Sequence, residues 1–235
     1  MNQICIHELG EYCTLNPLNI SELSHETKFV RNEDSISKRI YDGEFVTWKL
    51  ETDTPDIEGR LNEQRMIKLV MLQIGILIPL KVRQIRRSLQ EAEIVITFVE
   101  TNPFFLKRPS VLAYAYGPFD GIGGDITFND KYIWSLDGKP LSVEDALTKG
   151  FIENGVPGNM IRTFDVHHTM LHEALHAFGV PHLQNSGNVM NPYYNGVRIM
   201  QTDDVNYLQL LYGKSSRGHR YWERILARFG RGVMA

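Results

Sequence analysis

Residues 172 to 182 read HEALHAFGVPH, and no other stretch restricts the chain so tightly. His172 and His176 stand four apart, so on a helix their rings leave one face about a turn from each other and can share an ion. Glu173 is offset to the side, where it can hold a water on that ion without taking a coordination position. Gly179 allows the left-handed backbone by which a chain leaves a helix sharply, and the turn brings His182 back as a third ligand. Three imidazoles with one position left open are the ligand set of a catalytic zinc, whereas a structural site is closed by a fourth side chain. A bare HExxH arises by chance, and a lone helical histidine is more often packed or at the surface. The glycine and third histidine at fixed offsets outweigh that reading. His167 and His168 fall outside the pattern and read as helix-surface residues.

Around this motif the 235 residues suffice for one well-cored domain with appendages. Residues 1–42 are polar, with weak periodicity, and read as a leader or accessory segment. From Gly43 the pattern changes. FVTWKL alternates like a strand, and Leu61 to Leu77 carries apolar residues at helical spacing, with Pro79 ending the helix. Further strands are expected around Val82, over Glu93 to Val99, over Val111 to Tyr116 and at ITFN. Residues 135–162 read as loop, with a short helix opened by Ser142 and Asp145. A helix is expected from Thr163 to Phe178, and a last one after Thr202, ending before Gly213. This order gives an α/β or α+β fold.

Composition excludes little beyond this. A net charge of −3 offers no global reason for nucleic-acid binding. The two cysteines, Cys5 and Cys13, do not make a disulfide framework. The N-terminus lacks the basic start and apolar run of an export signal, and no segment is long and apolar enough to span a membrane. Intracellular, particle-associated and non-conventionally secreted residence all stay open. Residues 214–235 hold six Lys or Arg and one Glu. Arg220, Arg224 and Arg228 set against Trp222, Leu226 and Phe229 suggest a basic amphipathic helix for an anionic partner, or one packed back on its own domain.

The zinc motif, the methionine of NVMNPYY eight residues after His182, the segment VLAYAYGPFDGIGGDITFND and the closing TDDVNYLQLLYG together resemble the metzincins, and among them the matrixins, over residues 43–213. The resemblance implies a twisted mixed sheet with one antiparallel edge strand, two long helices around the sheet and active site, and a C-terminal helix after the Met-turn. It implies a zinc endopeptidase with Glu173 as general base, and Met190 as the apolar floor beneath the metal. Substrate would lie extended along Val111–Tyr116, with Leu112 and Ala113 on the rim and Pro192 and Tyr194 on the opposite wall. Val197, Ile199 and Met200 would give that pocket an apolar lining. Gly121, Gly123 and Asp125 match a calcium loop, although a plain tight turn fits those residues as well.

The departures narrow the expectation. The strand positions matching the family's structural-zinc ligands are Tyr114 and Thr127, so no second zinc is expected. Neither cysteine sits in the family's PRCGxPD inhibitory segment. Trp134 lies 38 residues before His172, which makes 135–162 an insertion near the cleft. The competing reading is an inert metzincin-fold module that binds or scaffolds; intact Glu173 argues against it, because a scaffold needs no base beside its metal.

Overall fold

The computed structural model describes residues 4–8, 41, 44–85, 91–118, 122–151 and 160–215. One six-stranded sheet organises them. It comprises β1 (Ile4–Glu8), β2 (Phe45–Leu50), β3 (Lys81–Gln84), β4 (Ile94–Val99), β5 (Val111–Tyr116) and β6 (Ile126–Asn129), in the order β1-β5-β6-β4-β2-β3. β2 is parallel to β3 and β4, and β4 to β6, while β5 is antiparallel to β6. Helix α1 (Arg60–Gly75) packs against β3 and against α4 (Val166–Ala177), which in turn lies on β5, β6 and β1. A short helix α2 (Pro103–Lys107) precedes β5, and α5 (Thr202–Tyr212) closes the described chain. None of these helices is long and apolar enough to cross a membrane.

Burial follows the alternation read in the sequence. Val46, Trp48 and Leu50 of β2 and Ile94, Ile96 and Phe98 of β4 point into the core, with their neighbours partly exposed. β5 is buried from Val111 to Ala115: Leu112, Ala113 and Ala115 join the main core, and Val111 and Tyr114 pack with Phe105 of α2. The segment expected as loop, 135–162, holds more structure than its turn signals announced. Within it β8 (Leu141–Ser142) is antiparallel to β9 (Met160–Ile161), and at its borders β7 (Trp134–Ser135) runs parallel to β10 (Phe164–Asp165). Two-residue strands carry no readable period. Helix α3 (Val143–Thr148) opens as expected on Ser142, whose Oγ accepts the Asp145 N–H at 3.0 Å.

Gly124 has φ of 86°, and a Cβ there would meet the Tyr41 hydroxyl, the Glu93 carbonyl oxygen at 3.0 Å and Ile94 Cγ1 at 3.0 Å. Backbone is thus pressed against backbone where the loop turns into β6. Gly124→Ala is expected to cost on the order of 1–3 kcal/mol in denaturant unfolding. Gly117→Ala, which meets nothing within 4 Å, should be near neutral, and equal costs would contradict the packing argument.

Glu63 sits on the inner face of α1 with no exposed surface. Burial, reinforced by Asp53 and Asp130, pushes its carboxyl up to about 8, against the opposing effects of the Thr54 N–H and Arg60. A native-state pKa above the unfolded value means the folded protein binds more protons between the two, so stability falls as pH rises from about 4.5 to about 8. Glu63→Gln removes that ionisation. Its unfolding midpoint relative to wild type should rise between pH 5 and pH 9, and a difference independent of pH would contradict the assignment.

Candidate metal centre

Helix α4 begins three residues later than its apolar pattern predicts. Asp165 is its N-cap and accepts the N–H groups of His167 at 2.8 Å and His168 at 3.3 Å, which holds Thr163 to Asp165 out of the helix. The Asp165 carboxylate also pairs with Arg198 at 2.9 Å, tying the loop before α5 to the start of α4. At the other end Gly179 has φ of 86°, its N–H bonds the His176 carbonyl at 2.8 Å, and the Val180 N–H bonds that of Leu175 at 2.9 Å. The chain leaves the helix there and returns with His182.

The turn brings the three predicted histidines together. Their ring centroids are 4.7 Å (His172–His176), 4.6 Å (His176–His182) and 5.2 Å (His172–His182) apart. One nitrogen from each lies within 4.8 Å of the others, with His172 and His176 buried and His182 partly exposed. His172 Nδ1 is 2.7 Å from the Val189 carbonyl oxygen, and His176 Nδ1 is 2.7 Å from that of Val180. A carbonyl oxygen only accepts, so both Nδ1 atoms carry the proton and both Nε2 atoms offer a lone pair inward. His172 Nε2 and His182 Nε2 approach to 3.3 Å. Two ligands at the zinc–nitrogen distance of roughly 2.0–2.1 Å in a tetrahedral sphere stand about 3.3 Å apart.

Two buried polar groups support the same fit. His176 Nε2 and both carboxylate oxygens of Glu173 have no hydrogen-bond partner among the described residues. Burial raises the Glu173 carboxyl well above its ordinary value and lowers the His176 imidazole well below, the latter helped by His182. Such orphaned groups are costly in a folded protein, and a divalent cation with its solvent supplies the partners both lack. The residues present fit a zinc ion.

Met190 is fully buried, and its main chain joins the parts. The Leu183 N–H, one residue past His182, donates to the Met190 carbonyl at 2.8 Å. The N–H groups of Val189 and Met190 donate to the carboxylate of Asp204 at 3.0 and 3.2 Å, which also accepts the Gln201 N–H at 2.8 Å in the capping box of α5. Asp204 therefore pins the Met190 turn, and through the Val189 carbonyl it fixes the ring of His172. The sequence shows Asp204 only as a first-turn acid; its grip on the Met190 turn is a tertiary contact without a local signal. Asp165 did carry one, an Asp just before the helical run, hidden by the apolar spacing that extends back to Thr163.

His168 is not a surface residue, and His167 is only partly exposed. His168 is fully buried, its Nδ1 lies 2.6 Å from the Val197 carbonyl, and its ring stands edge-on to Tyr194 at 4.9 Å. His167 Nε2 faces Gln73 of α1 at 3.4 Å. Desolvation lowers both to about 4, so both are neutral at pH 7. Helix α4 is packed on more sides than a surface helix, which its apolar residues alone did not reveal.

Tyr194 is wedged between His168 and Phe164, with its hydroxyl accepting the Asp165 N–H at 2.9 Å; Pro192 is partly exposed nearby in sequence. Leu112 and Ala113 are fully buried, main chain included, with Ala113 paired to His7 of β1 on one side and Phe128 of β6 on the other, so neither lies on an open rim. In the glycine-rich loop Gly121 lies outside the described residues, Gly123 is buried, and Asp125 Oδ1 accepts the Val95 N–H at 2.9 Å. Tyr114 and Thr127 face each other across β5 and β6. The basic segment with Arg220, Arg224 and Arg228 also lies outside the described residues.

A family model described as Matrixin matches residues 40–213. Among curated proteins, macrophage metalloelastase of Oryctolagus cuniculus is 27% identical over 177 residues, 72% of this chain and 32% of that protein. Interstitial collagenase of Sus scrofa is 27% identical over 176 residues, again 72% and 32%. Matrilysin of Rattus norvegicus is 27% identical over 180 residues, 73% of this chain and 58% of its own length. The chain thus spans about a third of the first two relatives. With strands β2 to β6 of the mixed sheet, the three-histidine cluster and α5 all inside the matched span, the chain belongs to the matrixin family.

Proposed function

We propose that the protein is a zinc endopeptidase that hydrolyses peptide bonds of extended polypeptides. The observation that carries this reading is the pairing of three converging imidazoles with a buried, unpartnered carboxylate on the same helical turn. Zinc held by His172, His176 and His182 would supply a Lewis acid that lowers the pKa of a bound water and stabilises negative charge on the scissile carbonyl. The chain's own residues supply the rest. Val189 and Val180 hold two rings in the tautomer that presents Nε2. Glu173 takes the proton of the attacking water and delivers it to the departing amine.

An extended substrate is held by main-chain hydrogen bonds, which give affinity with limited side-chain selectivity. Selectivity for the residue after the cut comes from the wall built by Pro192 and Tyr194 with Val197, Ile199 and Met200, which favours an apolar side chain. The test is digestion of a mixed fluorogenic peptide library by the zinc-loaded protein. Chelator-sensitive internal cleavage with an apolar preference after the cut supports the reading. A protein that binds zinc and cleaves nothing would instead be the inert binding module.

A further inference from the structure

Helix α1 turns one apolar face inward and leaves another in solvent. Met66, Ile67, Val70, Met71 and Ile74 are buried, and on the opposite side Leu61, Leu69 and Leu72 are 67%, 57% and 56% exposed. Single surface leucines are ordinary, but these share a stripe with charge of one sign. Leu61, Arg65, Lys68 and Leu72 recur at steps of four, three and four, with Leu69 beside them, over roughly 16 Å of helix. No acid is exposed on α1, because its single carboxylate, Glu63, is buried. Arg60 is taken by Asp53, whereas Arg65 and Lys68 have no ion-pair partner among the described residues.

A second segment of the same chemistry starts beside this helix. The Ser215 N–H donates to the Leu77 carbonyl at 3.1 Å and the Gln209 side-chain amide to the same oxygen at 3.2 Å, so the described chain ends just past the C-terminus of α1. Residues 216–235, outside the described residues, hold five arginines against one acid, Glu223, interleaved with Trp222, Leu226 and Phe229. Two cationic segments repel each other, so the tail is a poor cover for α1, and both suit one partner that is anionic and apolar. We propose that the outer face of α1, with the basic tail as a second anchor, docks the protein on an anionic lipid bilayer. The leucines enter the boundary between headgroups and acyl chains while Arg65 and Lys68 stay at the level of the phosphates, a depth that also suits Trp222. A bilayer supplies phosphate and hydrocarbon along the whole stripe without any matching pocket. Binding of this kind grows with the apolar area inserted and with each cation at the surface, which is worth roughly fivefold.

The test is flotation of the full zinc-loaded chain with phosphatidylcholine vesicles containing about 30% phosphatidylserine, against pure phosphatidylcholine, at roughly 0.1 M salt. The readout is independent of cleavage. Binding to the anionic vesicles alone is expected. The double variant Arg65→Gln/Lys68→Gln should weaken it on the order of 10- to 30-fold, and Arg224→Gln/Arg228→Gln by a similar factor. Leu69→Gln/Leu72→Gln, which keeps helix propensity and removes apolar area, should weaken it about tenfold. Both α1 variants should unfold at the wild-type midpoint, because their side chains are exposed. Failure to float, or wild-type binding by either charge variant, would overturn the proposal. A lower unfolding midpoint in the leucine variant would show that α1 is covered from within the chain, and would overturn it too. Should the vesicles fail while an acidic, leucine-rich peptide binds and is released by the same α1 substitutions, the face is a protein interface and the bilayer assignment falls.

Discussion

Glu173→Gln is expected to lower kcat on an extended peptide by roughly 10²- to 10⁴-fold while leaving zinc content unchanged. That is about 3–5 kcal/mol of barrier. Glu173 is wholly buried, has no hydrogen-bond partner among the described residues, and follows the first ligand directly in α4. Glutamine keeps the shape but cannot accept the proton of the attacking water. Because no described residue bonds the carboxylate, the substitution breaks no scaffold contact, and the loss should fall on kcat and not on unfolding. A variant as active as wild type would show that the carboxylate is not the base. A variant that also lost its zinc would show that Glu173 serves the fold.

Asp204→Ala should have the largest effect away from the metal. The carboxylate accepts three main-chain N–H groups, from Val189, Met190 and Gln201, and is itself buried. Each buried donor left without a partner costs about 1–3 kcal/mol, so a loss of roughly 3–5 kcal/mol in denaturant unfolding is expected after partial relaxation. The second consequence is specific. Val189 orients His172, so a loosened Met190 turn should weaken zinc binding about 10- to 100-fold in a chelator competition. Asp204→Asn, which keeps one acceptor oxygen, should lie between. Wild-type zinc affinity in the alanine variant would mean that the turn holds His172 without Asp204.

Much of this site is local, and local patterns are what a sequence displays. The i, i+4 histidines, the adjacent acid, the helix-stopping glycine and the returning histidine all lie within 172–182, and each works through helix or turn geometry that short-range chemistry dictates. The strands Phe45–Leu50 and Val111–Tyr116 likewise matched their apolar patterns to the residue. What escaped depends on distant partners. Asp204 reaches back fifteen residues to Val189, the burial of His168 depends on Val197 and Tyr194, and Trp134 pairs with Phe164 thirty positions on. The pairing of residues 4–8 with a strand more than a hundred residues later had no trace in a polar segment without periodicity. Glu63 reads as an ordinary polar position of α1 and turns out to be fully buried, a conflict between pattern and packing that only the assembled core reveals.

The central claim is that three imidazoles hold one zinc and leave a place for solvent. X-ray absorption at the zinc edge of the metal-loaded full chain tests it most directly. Three histidine nitrogens at about 2.0–2.1 Å with one exchangeable light ligand, and loss of the imidazole scattering in His176→Ala, is the predicted result. A sphere closed by a fourth protein side chain, or one unaffected by removing His176, would contradict it.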